Sequence, residues 1–250
     1  MGDPVTCLHG FTQHGDSWDE VAALVPGRRR WLAPDVRGTT LAEVEADLLA
    51  LWAREGVQRT HLVGYSQGGR IALSVAAGHP DRLLSLTTVG AHAGLDGGAR
   101  TARLAADRAL ADRIEREGID WFAAYWAGLP LFEGLARRGP AFLARLDAAR
   151  RRHETAHLTA QLRGLGAGAT EPFWDRLSRI AVPTLLVAGA EDPRYADLAV
   201  KLREAIPGAE VALVPEAGHA VHLEQPAAFA TLLGRHLSRH GSRSDSARPG

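Results

Sequence analysis

The residues best suited to chemistry in this chain of 250 residues lie in the segment Gly64–Gly69, with the sequence GYSQGG. The segment follows a short apolar run, His61–Val63, and precedes a helical pattern. Small residues on both sides of Ser66 allow a tight strand-to-helix turn that presents the serine Oγ outward. The first amides of the following helix favour negative charge at the same point. The pattern therefore predicts a nucleophilic serine.

A serine of this kind needs a base to take its proton and a carboxylate to orient that base. Asp192 and His219 each follow a short apolar run, so both are expected at the carboxyl end of a strand. The order serine, aspartate, histidine is the one found in α/β-hydrolases. We therefore predict a catalytic triad of Ser66, Asp192 and His219, with Glu191 as the alternative acid.

Two backbone amides are expected to stabilise the charge that develops beside the serine. Phe11 follows the first apolar run and the pair His9-Gly10, where α/β-hydrolases place one donor, and Gln67 directly follows the serine. We predict that the N–H groups of Phe11 and Gln67 form the oxyanion hole. This chemistry requires no metal ion and no organic cofactor, and we expect neither.

A competing motif, His153-Glu154-Thr155-Ala156-His157, has the pattern H-E-x-x-H. On one helix this spacing places two histidines on the same face, where they can bind zinc with the glutamate as base. The arginines at positions 150–152 directly precede the motif and would repel a divalent cation. A third ligand would have to be a residue such as Glu171, which belongs to no motif. We therefore interpret 153–157 as a solvated or lid-lining helix face and predict no metal site.

Strand-like and helical patterns alternate along the chain, which predicts an α/β fold with a mostly parallel central sheet and helices on both faces. The apolar runs are continuous, as expected for strands that are buried on both faces. The predicted strands are Val5–Leu8, Arg30–Ala33, Thr60–Val63, Leu83–Val89, Thr184–Val187 and Glu210–Val214. The predicted helices are Leu41–Glu55, Gly68–Ala77, Ala196–Ile206 and Ala227–His240.

The stretch 94–170 interrupts this alternation. It contains no convincing strand and shows helical spacing over Arg100–Glu117 and Phe142–Leu165. We predict that it is a helical lid inserted between two strands, so that 1–93 and 171–240 form the hydrolase core. The small polar residues of 241–250 predict a disordered tail.

Composition and charge restrict the function classes. Lys+Arg and Asp+Glu both number 29, so the net charge gives no reason to expect nucleic acid or an anionic membrane as a partner. No apolar run approaches the ~20 residues that span a membrane. Cys7 is the only cysteine and lies in an apolar run, which predicts a buried core residue in a cytoplasmic protein. Monomer and homodimer both remain open.

The segment 64–73 resembles the nucleophile region of 2-succinyl-6-hydroxy-2,4-cyclohexadiene-1-carboxylate synthase, the menaquinone-pathway family that eliminates pyruvate. The similarity continues through Trp126 and the Pro-Leu-Phe of 130–132 to the Ala-Gly-His-Ala-Val-His of 217–222. The resemblance implies the same triad. It also implies that Arg70 and Arg150 bind substrate carboxylates and that Tyr65 and Trp126 line the pocket. A guanidinium one helical turn beyond the nucleophile suits such a contact, because it can bind a carboxylate through two hydrogen bonds.

The resemblance therefore implies a carbon–oxygen lyase that takes a proton from a small carboxylated cyclohexene and expels pyruvate. The sequence departs from the family at Ala99, Ala105 and His153, where glutamine, arginine and asparagine are expected. The alternative function is a serine hydrolase, an esterase or C–C hydrolase, with Ser66 as covalent nucleophile. A binding module without catalysis is a third class, and the complete triad argues against it.

Overall fold

A six-stranded sheet forms the centre of the computed structural model, which describes residues 2–241. The strands are β1 (Pro4–Leu8), β2 (Arg30–Leu32), β3 (Thr60–Tyr65), β4 (Leu83–Val89), β5 (Thr184–Gly189) and β6 (Glu210–Val214). Their order is β2-β1-β3-β4-β5-β6, and every neighbouring pair is parallel. The predicted α/β fold with a parallel central sheet is confirmed.

Two apolar cores cover the two faces of the sheet, because successive strand residues point to opposite sides. The helices that flank the sheet are α1 (Asp19–Leu24), α2 (Leu41–Arg54), α3 (Gln67–Gly78), α7 (Pro193–Ala205), α8 (Val221–Glu224) and α9 (Pro226–Arg239). Leu62 and Leu186 pack with α2, α3 and α7 on one face. Val63 and Val187 pack with α1 and α9 on the other. Cys7 lies in this second core as a free thiol, and burial raises its pKa.

Between β4 and β5 lie three α-helices, α4 (Gly97–Ala127), α5 (Pro140–Arg151) and α6 (Thr155–Leu165), and two 3₁₀ segments, Pro130–Arg138 and Trp174–Arg179. These helices have a small core of their own, in which Ile114 and Phe122 of α4 pack on Leu158 and Leu162 of α6. Helix α4 bends at Gly118, whose φ of 83° interrupts the helical backbone.

The helical pattern over Phe142–Leu165 is not one helix. The chain leaves α5 after Arg151 and re-enters a helix at Thr155. Residues of this break contact the loop after β1: the His153 ring stacks on His14 with centroids 4.1 Å apart, and Arg152 pairs with Asp16 at 2.6 Å. No helix within 2–241 is long and apolar enough to cross a membrane. The predicted tail of 241–250 lies, except for Gly241, outside the described residues.

Candidate active site

Ser66 occupies a strained turn between β3 and α3. Its backbone angles, φ 52° and ψ −110°, lie in a region that non-glycine residues rarely adopt. A Cβ atom at Gly68 would lie 2.3 Å from the carbonyl oxygen of Leu8, and one at Gly64 would lie 2.3 Å from the carbonyl oxygen of Gly68. Both flanking glycines are therefore required by close backbone contacts, which explains the spacing of the motif.

The three predicted triad residues lie together at the carboxyl ends of β3, β5 and β6. The Nε2 atom of His219 lies 3.1 Å from the Ser66 Oγ, and its Nδ1 atom lies 3.0 Å from Asp192 Oδ2. Because a carboxylate accepts hydrogen bonds, Nδ1 carries the proton and Nε2 is free to accept the serine proton. Asp192 also caps α7 by accepting a hydrogen bond from the Tyr195 amide at 3.2 Å.

Glu191, the alternative acid, points away from His219. Its carboxylate pairs with Arg137 at 2.7 Å on the protein surface. Asp192 is instead buried, with only 8% of its side chain exposed. The geometry therefore brings the aspartate, and not the glutamate, to the base.

The residues predicted to donate to an oxyanion flank Ser66. Gln67 begins α3 directly after the serine. The loop after β1 passes close to the elbow, since a Cβ atom at Gly10 would lie 2.6 Å from the Tyr65 ring and 3.5 Å from the Ser66 Cβ. Phe11 follows in this loop, and its ring lies 5.2 Å from that of Trp126. The role of the two amides stays a prediction.

A cavity of about 650 Å³ lies between the core and the helices of 94–170. Three of the predicted pocket residues, Tyr65, Trp126 and Arg150, line it together with Phe11 and Phe132. The cavity extends towards the base, because the rings of Tyr65 and Phe132 lie 5.3 Å and 6.3 Å from that of His219. Such a chamber, mostly apolar with a few polar groups, suits a small organic substrate.

Arg150 brings a buried positive charge to this cavity. The residue is only 7% exposed, and its Nε has no hydrogen-bond partner. Burial lowers its pKa, with Asp147 and Tyr65 acting against that effect. Within 2–241 no carboxylate forms an ion pair with it. An unpaired buried guanidinium is costly, so an anionic ligand at this point would be strongly favoured.

Arg70 differs from the other predicted substrate contacts. It lies one helical turn after Ser66, but its guanidinium is buried and does not line the cavity of about 650 Å³. It donates a hydrogen bond to the carbonyl of Leu165 at 2.6 Å, while its Nε has no partner among the described residues. Burial lowers the pKa of Arg70 to about 10. A substrate contact for Arg70 therefore stays a prediction.

The H-E-x-x-H motif does not lie on one helix. His153 falls in the break before α6, and Glu154 is the N-terminal cap of that helix. Of the two histidines, only His157 belongs to the first turn of α6. Among residues 2–241 there is no group of three or more His, Cys, Asp or Glu side chains that could hold a metal ion.

One aromatic neighbour of the base, Tyr195, was not expected from the sequence. The ring of Tyr195 lies 4.3 Å from that of His219, and burial raises the tyrosine pKa. His222 packs on Tyr65 at 4.4 Å, and burial lowers its pKa to about 3, so this second histidine stays neutral. His222 ends the segment Ala-Gly-His-Ala-Val-His of 217–222, which carries part of the family resemblance.

Comparisons with known proteins identify the family of this chain. A model of the alpha/beta hydrolase fold matches residues 3–226. The 2-succinyl-6-hydroxy-2,4-cyclohexadiene-1-carboxylate synthase of Serratia proteamaculans is 33% identical over 94% of this chain and 92% of that protein. The enzyme of the same name from Pectobacterium atrosepticum is 32% identical over 94% and 93%.

Solved structures show the same fold. MenH from S. aureus has a TM-score of 0.89 at 24% identity and covers 95% of this chain and 94% of its own. A malate-bound thermophilic esterase from Thermogutta terrifontis has a TM-score of 0.83 at 23% identity, covering 97% and 92%. The chain thus belongs to the alpha/beta hydrolases and, within them, to the 2-succinyl-6-hydroxy-2,4-cyclohexadiene-1-carboxylate synthase family.

Proposed function

We propose that this enzyme is a carbon–oxygen lyase that forms 2-succinyl-6-hydroxy-2,4-cyclohexadiene-1-carboxylate by expelling pyruvate from a carboxylated cyclohexene. The family membership supports this reaction. The observation that carries it in this chain is Arg150, a buried guanidinium without an ion-pair partner among residues 2–241, in the cavity that Tyr65 also lines. A neutral ester would leave that charge without a partner, whereas a substrate carboxylate satisfies it.

The triad supplies the base for the elimination. His219, oriented by Asp192, takes the hydroxyl proton of Ser66, and the Ser66 oxygen takes the proton from the substrate, either in the same step as a relay or afterwards as the alkoxide base. The electron pair of the broken C–H bond forms a ring double bond, the C–O bond to the leaving group breaks, and the leaving enolate takes up a proton to become pyruvate. The N–H groups of Phe11 and Gln67 would stabilise charge on the substrate carbonyl. Each of these steps uses side chains and amides of this chain.

The helices of 94–170 act, in this proposal, as the lid of the site. They contribute Trp126, Phe132 and Arg150 to the cavity, while the core contributes Phe11 and Tyr65. Closing the cavity from one side excludes water and strengthens the contact between Arg150 and an anion. A cytoplasmic location also stays a proposal, since it rests on the single buried cysteine.

A serine hydrolase remains the second candidate, because the same triad geometry supports covalent catalysis and the esterase above shares the fold. The test measures pyruvate release from the pyruvate-bearing cyclohexene precursor alongside hydrolysis of simple neutral esters. We expect rapid pyruvate release and slow ester turnover. Fast ester turnover with a trapped Ser66 acyl-enzyme and no pyruvate would establish the hydrolase instead.

Variants of Arg150 test whether this residue of the cavity binds a substrate carboxylate. Arg150→Ala should lower kcat/KM for pyruvate release by roughly 30- to 1000-fold, the effect of losing a charge-assisted contact worth ~2–4 kcal/mol. Arg150→Lys should restore only part of the loss. Arg145→Ala is the matched control, since Arg145 lies on the same helix and lines the same cavity but is exposed.

A further inference from the structure

The carboxylate of Glu224 lies beneath the loop that carries His219. Its Oε2 accepts a hydrogen bond from the Gly218 amide at 2.8 Å, and its Oε1 accepts one from the Ala220 amide at 3.0 Å. The side chain is 1% exposed. One buried carboxylate therefore holds the amides on both sides of the base, which fixes the backbone from which the imidazole extends.

Arg137 of the 3₁₀ segment Pro130–Arg138 joins this carboxylate to the acid loop. Its Nη2 lies 3.4 Å from Glu224 Oε2 and 2.7 Å from Glu191 Oε2, and it donates to the carbonyl of Glu216 at 3.0 Å. A single guanidinium thus touches the residue before Asp192 and the loop before His219. Gly134 permits the approach, since a Cβ atom there would lie 1.9 Å from Glu224 Oε2.

The separation of Asp192 and His219 depends on how their two loops sit relative to each other. Each loop leaves a different strand, β5 or β6, and the Glu191 amide donates a backbone hydrogen bond to the Ala217 carbonyl at 2.9 Å. Arg137 adds a side-chain connection between the two loops through Glu191, Glu216 and Glu224. Two amides and this cation together compensate the buried charge of Glu224. A misplacement of about 1 Å at a catalytic group can cost on the order of 100-fold in rate.

Arg138 anchors the same segment independently. It donates to the carbonyl of Leu223 at 2.5 Å and to both carboxylate oxygens of Glu20 at 2.8 Å. Because these contacts do not involve Arg137, the segment keeps an attachment to the core when Arg137 is removed. An Arg137 variant should therefore affect only the loop that carries Asp192 and the loop that carries His219, which we call the two catalytic loops.

We infer that Arg137 and Glu224 are positioning residues. They join the lid segment Pro130–Arg138 to the loop of His219 and keep His219 at hydrogen-bonding distance from Asp192 and Ser66. The inference rests on the proposed function only in that His219 is the base. Arg137 belongs to the lid segment but does not line the cavity, and the inference gives this arginine a role.

The test uses the full chain and two readouts, pyruvate release and the rate at which a fluorophosphonate labels Ser66. Labelling forms an Oγ–P bond and releases fluoride while His219 takes the serine proton, so it reports on the base without the lyase substrate. Arg137→Ala should lower kcat and the labelling rate by about tenfold or more, with KM changed by less than about threefold. Arg137→Lys should recover part of this rate.

Glu224→Gln provides the second variant. The amide can accept from one of the two flanking N–H groups but presents a donor to the other, so it should lower the labelling rate at least as much. Arg163→Ala is the matched control, because Arg163 forms exposed ion pairs with Asp112 and Glu115 of α4, away from the two catalytic loops. It should label at the wild-type rate.

Labelling of Arg137→Ala within about twofold of wild type would overturn the inference, whatever happens to Glu224→Gln. Equal losses in Arg137→Ala and Arg163→Ala would also overturn it, since any lid ion pair would then matter equally. A wild-type enzyme that releases no pyruvate, yet shows slow labelling in Arg137→Ala, would remove the lyase proposal and leave the positioning role standing.

Discussion

The guanidinium of Arg70 donates a hydrogen bond to the carbonyl of Leu165 at 2.6 Å, which ties the helix of the nucleophile to the last turn of α6. A cation at that carbonyl is favourably placed, because the C-terminal end of a helix carries partial negative charge. The contact spans 95 residues of sequence and joins the core to the helical segment. Arg70 therefore has a structural role in addition to the predicted contact with substrate.

Arg70→Ala should lower the free energy of unfolding by about 2 kcal/mol, the usual contribution of a hydrogen bond from a charged donor. Urea titration of wild type and variant measures this change. Kinetics on two substrates then separate the roles: a contact with a substrate carboxylate predicts a larger loss for pyruvate release than for a neutral ester. Equal losses on both substrates would make Arg70 structural only, and unchanged stability would contradict the bond to Leu165.

Ser66→Ala should reduce kcat by at least about a thousandfold without unfolding the protein. Alanine can replace serine in the turn because the close contacts involve Gly64 and Gly68 rather than the serine hydroxyl. Turnover and thermal melting measured on the same preparation check both statements. Ser178→Ala, at an exposed position, is the control. Near wild-type turnover in Ser66→Ala would remove the serine from the mechanism.

The pH dependence of stability should carry a contribution from His9. The residue is buried, its Nε2 accepts from the Val36 amide at 2.9 Å, and its Nδ1 donates to the Gly10 carbonyl at 2.9 Å. Burial lowers its pKa to about 4, below the roughly 6.5 of an exposed histidine. The unfolded chain therefore binds the proton more readily, so this stability is present above pH ~6.5 and is lost as the pH falls towards 4.

His9→Gln tests this contribution, since the glutamine oxygen can still accept from Val36 but does not titrate. The variant should be less sensitive to pH between about 6.5 and 4, by at most about 1.4 kcal/mol per pH unit. Urea titrations at several pH values give the two slopes. Identical slopes would mean that other buried histidines, such as His61 and His92, account for the acid sensitivity.

Chelators should leave activity unchanged, and His157→Ala should stay within a few-fold of wild type. The reason is geometric: His153 precedes α6 while His157 lies in its first turn, so the two side chains do not share a helix face. Metal analysis of the purified protein before and after chelation checks the prediction. Stoichiometric zinc that is lost together with activity would reverse it.

The sequence alone determined the elements that position the chemistry. The glycines around Ser66 predict a tight turn, and Asp192 and His219 follow apolar strands whose carboxyl ends meet at one edge of a parallel sheet. These features are local, because hydrophobic periodicity and glycine placement act within a few residues. For the same reason the six strands were predicted to within two residues at each end.

Only the tertiary structure decided which polar side chains reach the site. Arg70 and Arg150 were predicted to bind carboxylates alike, yet Arg150 lines the cavity and Arg70 bonds to Leu165. The break after α5 places the ring of His153 against that of His14, which is far away in the chain. Packing and desolvation in the folded protein decide which distant partner a long side chain contacts. No local sequence pattern encodes these partners.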